Sequence, residues 1–408
     1  MKCRHCAAAL ELSLVDLVSA PPSNAYRRAD ALAGPETWFP LRVLVCEQCW
    51  LAQTEDFARP DQLFDADYAY FSGYSASWLA HSERYVAAMI DRLGLRGDSH
   101  VVEIAANDGY LLQYFQARGV PCTGVEPTAS TAAAARAKGI AIVQDFFGSR
   151  LAGSMASGSG PADLMTANNV LAHVPDINDF VAGFARLLKP QGVATFEFPH
   201  LLRLVREHQF DTIYHEHFSY LSLLAVQRIF VANGLAVFDV EQLATHGGSL
   251  RVFAQRSATG QQPRSTAVDD LLRTELAAGM ATREFYREFQ AVADQVKNEF
   301  LGFLLDAQRR AAKVVAYGAA AKGNTLLNYA GVKSDLIRFV VDRNPLKQGK
   351  YLPGSRIPVV DETRLQQERP DFVVILPWNL KSEVMQQLTY VREWGGRFVT
   401  AVPQLEVI

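Results

Sequence analysis

The fold can be deduced from one stretch, Val101-Val102-Glu103-Ile104-Ala105-Ala106-Asn107-Asp108-Gly109. Its apolar start predicts a buried strand over 100–105, and its polar end predicts a tight turn into a helix over 109–118. Further strands are predicted downstream at Thr123–Glu126, Ile140–Val143, Leu164–Asn168 and Gly192–Phe198. Helices are predicted near Leu79–Leu93, Ala129–Lys138 and Ile177–Leu188, and a Gly/Ser-rich loop around Ser154–Gly160. Strands that alternate with helices predict an α/β fold with a parallel, doubly wound sheet.

The remainder of the chain predicts two more units. Apolar residues at three- and four-residue spacing predict a long amphipathic helix over much of Val268–Ala312, bridging two domains. Four more strands follow, over Lys313–Tyr317, Arg338–Asp342, Asp371–Ile375 and Arg397–Ala401. We therefore predict three domains, over residues 1–70, 71–255 and 256–408.

Composition limits the kinds of partner. The chain has 408 residues, 49% hydrophobic and 20% charged, with a net charge of −3. Without a Lys/Arg-rich run, a nucleic-acid partner is not expected. No apolar stretch reaches the ~18 residues of a membrane span or forms a signal peptide, so a cytoplasmic protein without membrane contact is expected. A monomer of this size has enough core to stand alone.

Four of the five cysteines form two knuckles, Cys3-x-x-Cys6 and Cys46-x-x-Cys49, separated by 39 residues. In a reducing compartment, paired cysteines are more often metal ligands than disulfides. Two knuckles supply the four thiolates of a closed zinc site, which has no open position for water and is structural. His5 could replace one ligand, and a redox CxxC pair is the alternative.

The turn at 105–109 is suited to a nucleoside. Glu126 ends the next strand, where an acidic side chain can accept hydrogen bonds from ribose hydroxyls. The G-x-G-x-x-G of a pyrophosphate-binding turn is absent, which favours a cofactor without phosphate, S-adenosylmethionine. Asp145 and Phe146 could bracket adenine, and Asn168 follows the fourth strand. An ordinary α/β turn is the alternative.

A second cluster, Tyr214-His215-Glu216-His217, concentrates groups that handle protons. The residue four after His215 is Ser219, so the H-E-x-x-H zinc-protease motif is not present. If the segment is extended, Tyr214 and Glu216 share one face and the two histidines share the other. Hydrogen-bonded histidines without a catalytic role are the alternative.

With these motifs the chain resembles the bacterial nucleotide-sugar C-methyltransferases of deoxysugar biosynthesis, over nearly its whole length. The motifs that carry the resemblance are the two knuckles, Asp67–Ser72, the turn at 103–109, Asn169–Asp176 with His173, Tyr214–His217, Thr245–Ser249 and Gly318–Gly323. The resemblance implies a zinc module, a methyltransferase domain that binds S-adenosylmethionine, and a C-terminal Rossmann-like domain. It also implies an NDP-4-keto-deoxysugar substrate, methylated on the carbon beside the ketone.

The resemblance places His217 as the base, with Tyr214 and Glu216 beside it and a hydroxyl from Tyr68 or Tyr70. The predicted cofactor-binding residues are Glu103, Asn107, Gly109, Glu126, Asp145, Phe146, Asn168 and His173. The predicted substrate-binding residues are Lys322, Asn324, Ser249 and Arg251. C3 is favoured over C5 as the methylated carbon, while the nucleotide base and the sugar substituents stay open.

Three alternatives also remain open. A sugar O- or N-methyltransferase would use the same cofactor, and a zinc-bearing protein that only binds nucleotide sugars would use the same domains. An NAD-linked oxidoreductase would use the small-residue turn Gly318-Ala319-Ala320-Ala321-Lys322-Gly323. That turn could place amides and a lysine against phosphate, or could simply pack a helix on its strand.

Overall fold

The computed structural model describes residues 1–57 and 71–408, so Tyr68 and Tyr70 lie outside the described residues. The described chain contains three β-sheets, of four, seven and six strands. None of the described helices is both long and apolar enough to cross a bilayer.

The N-terminal sheet is antiparallel and has the order β1-β2-β3-β9. Its strands are β1 (Leu12–Ala20), β2 (Phe39–Val45), β3 (Ala52–Thr54) and β9 (Ser219–Tyr220). The fourth strand comes from far along the chain, where Tyr220 pairs with Ala52 and Ser219 with Gln53. A short segment of the central region therefore completes the N-terminal sheet.

The central sheet has the order β10-β11-β8-β7-β4-β5-β6. Its strands are β4 (Val101–Ile104), β5 (Cys122–Val125), β6 (Ala141–Val143), β7 (Ala162–Asn168), β8 (Leu188–Pro199), β10 (Leu235–Leu243) and β11 (Ser249–Arg256). Strands β4 to β8 pair in parallel, and β10 and β11 add an antiparallel edge. The predicted parallel sheet is confirmed, and β4 is buried along its whole length, as expected for a strand covered on both faces.

Helices cover this sheet in the expected alternation. They are α1 (Ala76–Leu93), α2 (Leu112–Ala117), α3 (Ala129–Ala137), α4 (Ser149–Gly158), α5 (Ile177–Leu187), α6 (Leu201–Arg206) and α7 (Leu223–Ala232). The loop predicted around Ser154–Gly160 was wrong, because α4 runs through most of it. Leu151, Ala152 and Met155 bury one face of α4, and the Ser157 hydroxyl bonds back to the carbonyl of Gly153 at 3.1 Å. Burial of one apolar face overrides the weak helix propensity of Ser and Gly.

The single long helix predicted over Val268–Ala312 was also wrong in part. Three helices occupy the region: α8 (Thr266–Ala277), α9 (Glu284–Arg287) and α10 (Phe289–Arg309). The chain breaks after α8 at Gly279, whose φ of +89° suits glycine and ends a helix. Phe289, Val296 and Phe300 on α10 share one apolar core with residues of β1 and of the C-terminal sheet, so the predicted bridge between units is retained.

The C-terminal sheet has the order β14-β13-β12-β15-β16-β17, and its pairs are parallel except at the β17 edge. Its strands are β12 (Val314–Tyr317), β13 (Val340–Val341), β14 (Val359–Val360), β15 (Phe372–Ile375), β16 (Arg397–Thr400) and β17 (Glu406–Val407), with helices α11 (Ala321–Tyr329), α12 (Thr363–Glu368) and α13 (Lys381–Gln387). This Rossmann-like order confirms the four predicted strands. It places a crevice where β12 and β15 end.

Candidate active site and zinc site

The four cysteines of the two knuckles converge. The sulfurs of Cys3, Cys6, Cys46 and Cys49 lie within 4.8 Å of one another, with Cys3 and Cys49 3.5 Å apart and Cys6 and Cys46 3.4 Å apart. Zinc bonded tetrahedrally to four thiolates at about 2.3 Å would hold them about 3.8 Å apart, so the donor set fits zinc. The close pairs join different knuckles, which does not suit a CxxC redox pair. His5 is engaged elsewhere, because its Nδ1 lies 2.8 Å from the side-chain oxygen of Asn178.

The turn after β4 is built from strained backbone. Ala105 and Asn107 have φ of +55° and +50°, and Gly109 has φ of +75°. Gly109 also packs closely, since a Cβ there would lie 2.3 Å from Cδ1 of Ile140. Non-glycine residues in the left-handed region cost free energy and cluster at functional sites.

Glu126 holds this turn from the end of β5. Its carboxylate accepts the main-chain N–H of Asn107 at 2.9 Å and of Thr128 at 2.8 Å. Glu103 lies fully buried in the same region, where burial raises its pKa well above the usual range and the charges of Asp108 and Glu126 add to the effect. The Tyr110 hydroxyl opposes that shift.

The segment before α1 covers the turn. The main-chain N–H of Ser72 donates to Oδ1 of Asn107 at 3.0 Å, and that of Gly73 donates to Oδ1 of Asp108 at 3.2 Å. The segment before α1 therefore holds the side chains of Asn107 and Asp108, and Glu126 holds the main chain of Asn107.

The other predicted cofactor residues follow neighbouring strands. Asp145 pairs with Arg150 at 2.7 Å, and Phe146 exposes 53% of its surface. Asn168 ends β7 and is buried. Because β4 to β7 are parallel, Glu103, Glu126, Asp145 and Asn168 lie along one edge of the sheet, where doubly wound folds bind ligands.

Tyr214–His217 forms a tight turn and not an extended segment, because the N–H of His217 donates to the carbonyl of Tyr214 at 2.9 Å. The rings of Tyr214 and His217 lie 4.0 Å apart, and the ring of His173 lies 4.7 Å from that of His217. The turn thus brings Tyr214 and His217 to the same side, together with His173.

The tautomer of His217 follows from its partner. Its Nδ1 lies 2.9 Å from the carbonyl oxygen of Thr212, which can only accept a hydrogen bond. Nδ1 must therefore carry the proton, and in the neutral ring Nε2 carries the lone pair. Burial lowers the pKa of His217 well below its usual range, and the charges of His173 and Lys322 lower it further, so the ring is neutral at physiological pH.

Glu216 and His215 point to other partners. Both carboxylate oxygens of Glu216 accept from the side-chain nitrogen of Asn24, at 2.8 and 2.9 Å. Burial raises the pKa of Glu216 to about 7, and the bonds from Asn24 oppose the shift. His215 Nε2 lies 3.1 Å from the carbonyl of Pro40, against the N-terminal sheet.

Residues from the N-terminal sheet and from the C-terminal unit hold this turn and the residues just before it, and sequence reasoning missed them. The Thr54 hydroxyl donates to the carbonyl of His217 at 3.0 Å, and the Thr325 hydroxyl to that of Ile213 at 2.8 Å. Trp378 Nε1 donates to Oδ2 of Asp211 at 2.8 Å. None of these contacts leaves a local pattern in the sequence.

Lys322 lies at the first turn of α11, beside the crevice of the C-terminal sheet. Its Nζ lies 3.0 Å from the side-chain oxygen of Asn379 and 4.6 Å from the Trp378 ring. Burial lowers the pKa of Lys322 to about 8, and the Asp211 carboxylate opposes the shift. The charge of Lys322 also lowers the pKa of His217, which places the lysine within electrostatic reach of that ring.

The other predicted substrate residues are committed to protein partners. Asn324 is buried and donates to the carbonyl of Ser23 at 2.6 Å. Ser249 donates to the carbonyl of Thr245 at 3.0 Å. Arg251 forms ion pairs with Glu197 and Glu241, each at 2.9 Å, so its charge is already neutralised.

The loop between β10 and β11 contributes a histidine, His246. It was included in a sequence motif, but no role was predicted for it. His246 has φ of +54°, and its Nε2 lies 3.1 Å from the side-chain nitrogen of Asn169, directly after β7. Burial lowers the pKa of His246 to about 4, with the charge of Lys322 adding to the effect. The Thr245–Ser249 motif is the sequence feature from which a role for His246 could have been predicted.

The first turn of the C-terminal sheet is not arranged for a dinucleotide. Asp342 follows β13, where an acidic residue would bind a ribose, but its Oδ2 accepts the N–H of Ala319 at 2.8 Å. Lys347 Nζ and the Tyr26 hydroxyl both donate to the carbonyl of Ala319, at 2.7 and 2.5 Å. The turn Gly318–Gly323 also lacks the complete G-x-G-x-x-G fingerprint, which disfavours the NAD alternative.

Comparison with known proteins agrees with a chain of three units, a zinc module, a methyltransferase domain and a C-terminal domain. Three family models match, described as "Putative zinc binding domain" over residues 3–64, "Methyltransferase domain" over 78–240 and "C-methyltransferase C-terminal domain" over 244–403. The C-methyltransferase NovU of Streptomyces niveus is 35% identical over 407 residues, which cover 100% of this chain and 96% of NovU.

Two solved structures are more distantly similar to this chain. Magnesium protoporphyrin IX methyltransferase from Synechocystis PCC 6803, with bound SAM, is 15% identical and has a TM-score of 0.33, over 44% of this chain and 82% of that one. The PH0226 protein from Pyrococcus horikoshii is 13% identical and has a TM-score of 0.37, over 46% and 95%. The assignment rests instead on the full-length relative and the three domain matches: the chain belongs to the zinc-binding, S-adenosylmethionine-dependent C-methyltransferase family that includes NovU.

Proposed function

We propose that the enzyme methylates the carbon beside the 4-keto group of an NDP-deoxysugar, at C3, with His217 as the base. The observation that carries the proposal is the fixed tautomer of His217, whose Nε2 lone pair is available because Nδ1 donates to the carbonyl of Thr212. Methylation of carbon requires removal of a proton from that carbon, whereas a hydroxyl or amine is already nucleophilic. A neutral imidazole whose Nε2 is unprotonated can accept that proton.

In the first step, Nε2 of His217 takes the proton from the carbon beside the ketone. The C–H electron pair forms the enolate, and its negative charge develops on the ketone oxygen. Tyr214, whose ring lies 4.0 Å from that of His217, is the proposed hydrogen-bond donor to that oxygen. Tyr68 or Tyr70 would add a second donor, and both lie outside the described residues.

S-adenosylmethionine, when bound, would supply an electrophilic methyl group to the nucleophilic carbon, its S–CH3 bond breaking as the C–C bond forms and leaving a neutral thioether. Glu103, Asn107 and Glu126 would hold it at the edge of the central sheet, with Asp145, Phe146, Asn168 and His173 lining the same site. Holding the two reacting carbons in line supplies much of the rate. Gly109 allows α3 to pack closely against this turn, because a Cβ at that position would collide with Ile140 and Ala135.

The nucleotide part of the substrate would lie at the crevice of the C-terminal sheet. Lys322, half-buried beside Trp378, is the proposed contact for the diphosphate. Its charge near His217 would also favour the enolate over the ketone. Asn324, Ser249 and Arg251 would act by holding the surrounding loops, given their protein partners. We propose that the enzyme works in the cytoplasm, where the four thiolates would persist.

The test is mass spectrometry of the enzyme with S-adenosylmethionine and a panel of NDP-4-keto-6-deoxysugars in deuterated water. The expected product gains one methyl group, and exchange of the proton beside the ketone requires His217. The His217→Asn variant should lower turnover by at least ~100-fold, the usual contribution of a general base, and bind S-adenosylmethionine as the wild type does. Methyl gain on oxygen or nitrogen, or exchange that persists in His217→Asn, would refute the proposal.

A further inference from the structure

The N-terminal module contacts the turn that carries the proposed base. Its strand β3 pairs with β9, which begins two residues after His217. The Cys46–Cys49 knuckle leads into the same strand, because the N–H of Cys46 donates to the carbonyl of Leu51 at 2.9 Å, directly before β3. The cysteine cluster and the proposed base are therefore connected through one short ladder.

Thr54 ends β3 and holds the main chain of His217. Its hydroxyl donates to the carbonyl of His217 at 3.0 Å, and its main-chain N–H donates to the carbonyl of Phe218 at 3.2 Å. Thr54 is 1% exposed, so water cannot replace these bonds. The orientation of the His217 peptide depends on Thr54.

Asn24 holds the neighbouring carboxylate. Its side-chain nitrogen donates to both oxygens of Glu216, a residue that is 2% exposed. A buried carboxylate without donors would lose its charge, and here two hydrogen bonds favour the charged form. Asn24 therefore sets the orientation of Glu216 and, together with the charge of Lys347, favours the ionised form against the effect of burial.

The loop that carries Asn24 is itself held by the C-terminal domain. Asn324 donates to the carbonyl of Ser23 at 2.6 Å, and the Tyr26 hydroxyl donates to the carbonyl of Ala319 at 2.5 Å. The main chains of Arg27 and Tyr351 also exchange hydrogen bonds, at 2.9 and 2.8 Å. Asn24 is thus placed between the Glu216 turn and α11 by contacts on both flanks.

We propose that Asn24 and Thr54 are positioning residues for the C-methylation reaction: Asn24 orients Glu216 and favours its charged form, and Thr54 fixes the main chain of His217. The inference rests on the proposed function, because it assigns value to Glu216 and His217 in that reaction. It gives the N-terminal module a part in the reaction in addition to its part in stability.

The experiment compares the pH dependence of methyl transfer in Asn24→Leu, Asn24→Gln and the wild type. Asn24→Leu removes the donors, so the pKa of Glu216 should rise from about 7. If charged Glu216 is needed, the acidic limb of kcat should move upward by about one pH unit, and kcat at pH 7 should fall about fivefold. Asn24→Gln keeps an amide donor and should recover part of both effects. A wild-type profile in Asn24→Leu would overturn the assignment of Asn24.

Two matched variants separate positioning from loop damage. Arg27→Gln alters a side chain of the same loop whose bonds go to the carbonyls of Ala31, Gly34 and Pro35, so it should leave the pH profile unchanged. Thr54→Val keeps the shape but removes the hydroxyl, and kcat should fall several-fold with the acidic limb unmoved. A shifted limb in Arg27→Gln, or unchanged kcat in Thr54→Val, would overturn the proposal.

A measurement without substrate distinguishes the two proposals. Infrared titration of the Glu216 carboxyl, identified by difference from Glu216→Gln, reports its ionisation directly. A higher pKa in Asn24→Leu supports the inference even if no sugar of the panel is methylated, a result that would refute the proposed function alone. An equal Glu216 pKa in Asn24→Leu and the wild type would overturn the inference, whichever sugar is methylated.

Discussion

Gly109→Ala tests whether the turn after β4 is built for the cofactor. Gly109 has φ of +75°, and an added Cβ would lie 2.3 Å from Cδ1 of Ile140 and 3.3 Å from Cβ of Ala135. The left-handed conformation costs a non-glycine residue ~1–2 kcal/mol. Overpacking a tight site adds ~1–3 kcal/mol, so the total is about 2–5 kcal/mol.

Gly119→Ala is the matched control. Gly119 has φ of +70°, but a Cβ there would meet nothing within 4 Å. The control therefore bears the conformational cost of ~1–2 kcal/mol without the contact. Chemical denaturation should rank Gly109→Ala below Gly119→Ala in stability, and Gly119→Ala should bind S-adenosylmethionine as tightly as the wild type does.

The affinity for S-adenosylmethionine reports whether the turn keeps its position. Relief of the contact would move the chain near Asn107, whose N–H is bonded to Glu126. A loss of about 1.4 kcal/mol in binding would weaken the affinity for S-adenosylmethionine tenfold, which calorimetry measures easily. Ile140→Val deletes Cδ1, so the double variant Gly109→Ala/Ile140→Val should recover part of the affinity, although Ile140→Val alone costs ~0.5–1.5 kcal/mol of stability. A double variant no better than Gly109→Ala, or an equal loss of affinity in Gly119→Ala, would refute the reasoning.

Three further substitutions test other parts of the molecule. Cys46→Ser should lower the zinc content and the unfolding stability together, measured by metal analysis and denaturation, while Cys122→Ser outside the cluster should leave the zinc content unchanged. A fully stable Cys46→Ser that lacks zinc would contradict a structural site. Burial raises the pKa of Asp211 from 3.8 to about 6, so the folded state holds the proton more tightly and this group's contribution to stability falls as pH rises from about 4 to 6. Asp211→Asn should therefore gain stability relative to the wild type as the pH rises across that window. A stability difference that stays constant with pH would show that the pKa of Asp211 is not raised. Glu275 is fully buried and accepts hydrogen bonds from the main-chain N–H groups of Leu223 and Leu224 and from the His200 ring, each at 2.7 Å. Glu275→Gln should therefore lose ~3–5 kcal/mol of unfolding stability. The exposed Glu299→Gln should show no measurable loss.

Much of the fold was predictable because its signals are local. The apolar run of β4 and the strands of the C-terminal sheet stand out from their surroundings, and the spacing of the four cysteines indicates a metal site directly. The errors have local causes too. Helix α4 was missed because Ser and Gly dominate its exposed face, and the break at Gly279 was missed because apolar spacing continues on both sides of it.

The candidate site was predictable only in part. Tyr214 and His217 could be identified because they lie three residues apart, and the turn that joins their rings is short. Asn24, Thr54 and Trp378 could not, since each reaches the turn from more than 150 residues away along the chain. Such contacts depend on how three sheets pack, and an isolated Asn or Thr in a loop carries no pattern that indicates a partner.

If His217 is the base, these distant contacts predict that the enzyme needs all three units. The proposed cofactor site lies in the central unit, at residues between β4 and α5, and the hydrogen bonds described for it include no donor from the C-terminal sheet. The proposed base is different, because the carbonyl of His217 is held by Thr54 from one unit and the carbonyl of Ile213 by Thr325 from another. Cofactor binding can therefore persist in variants that disturb the packing of the units, whereas placement of the base cannot. Loss of turnover with retained cofactor binding is the expected mark of damage to the N-terminal or C-terminal unit.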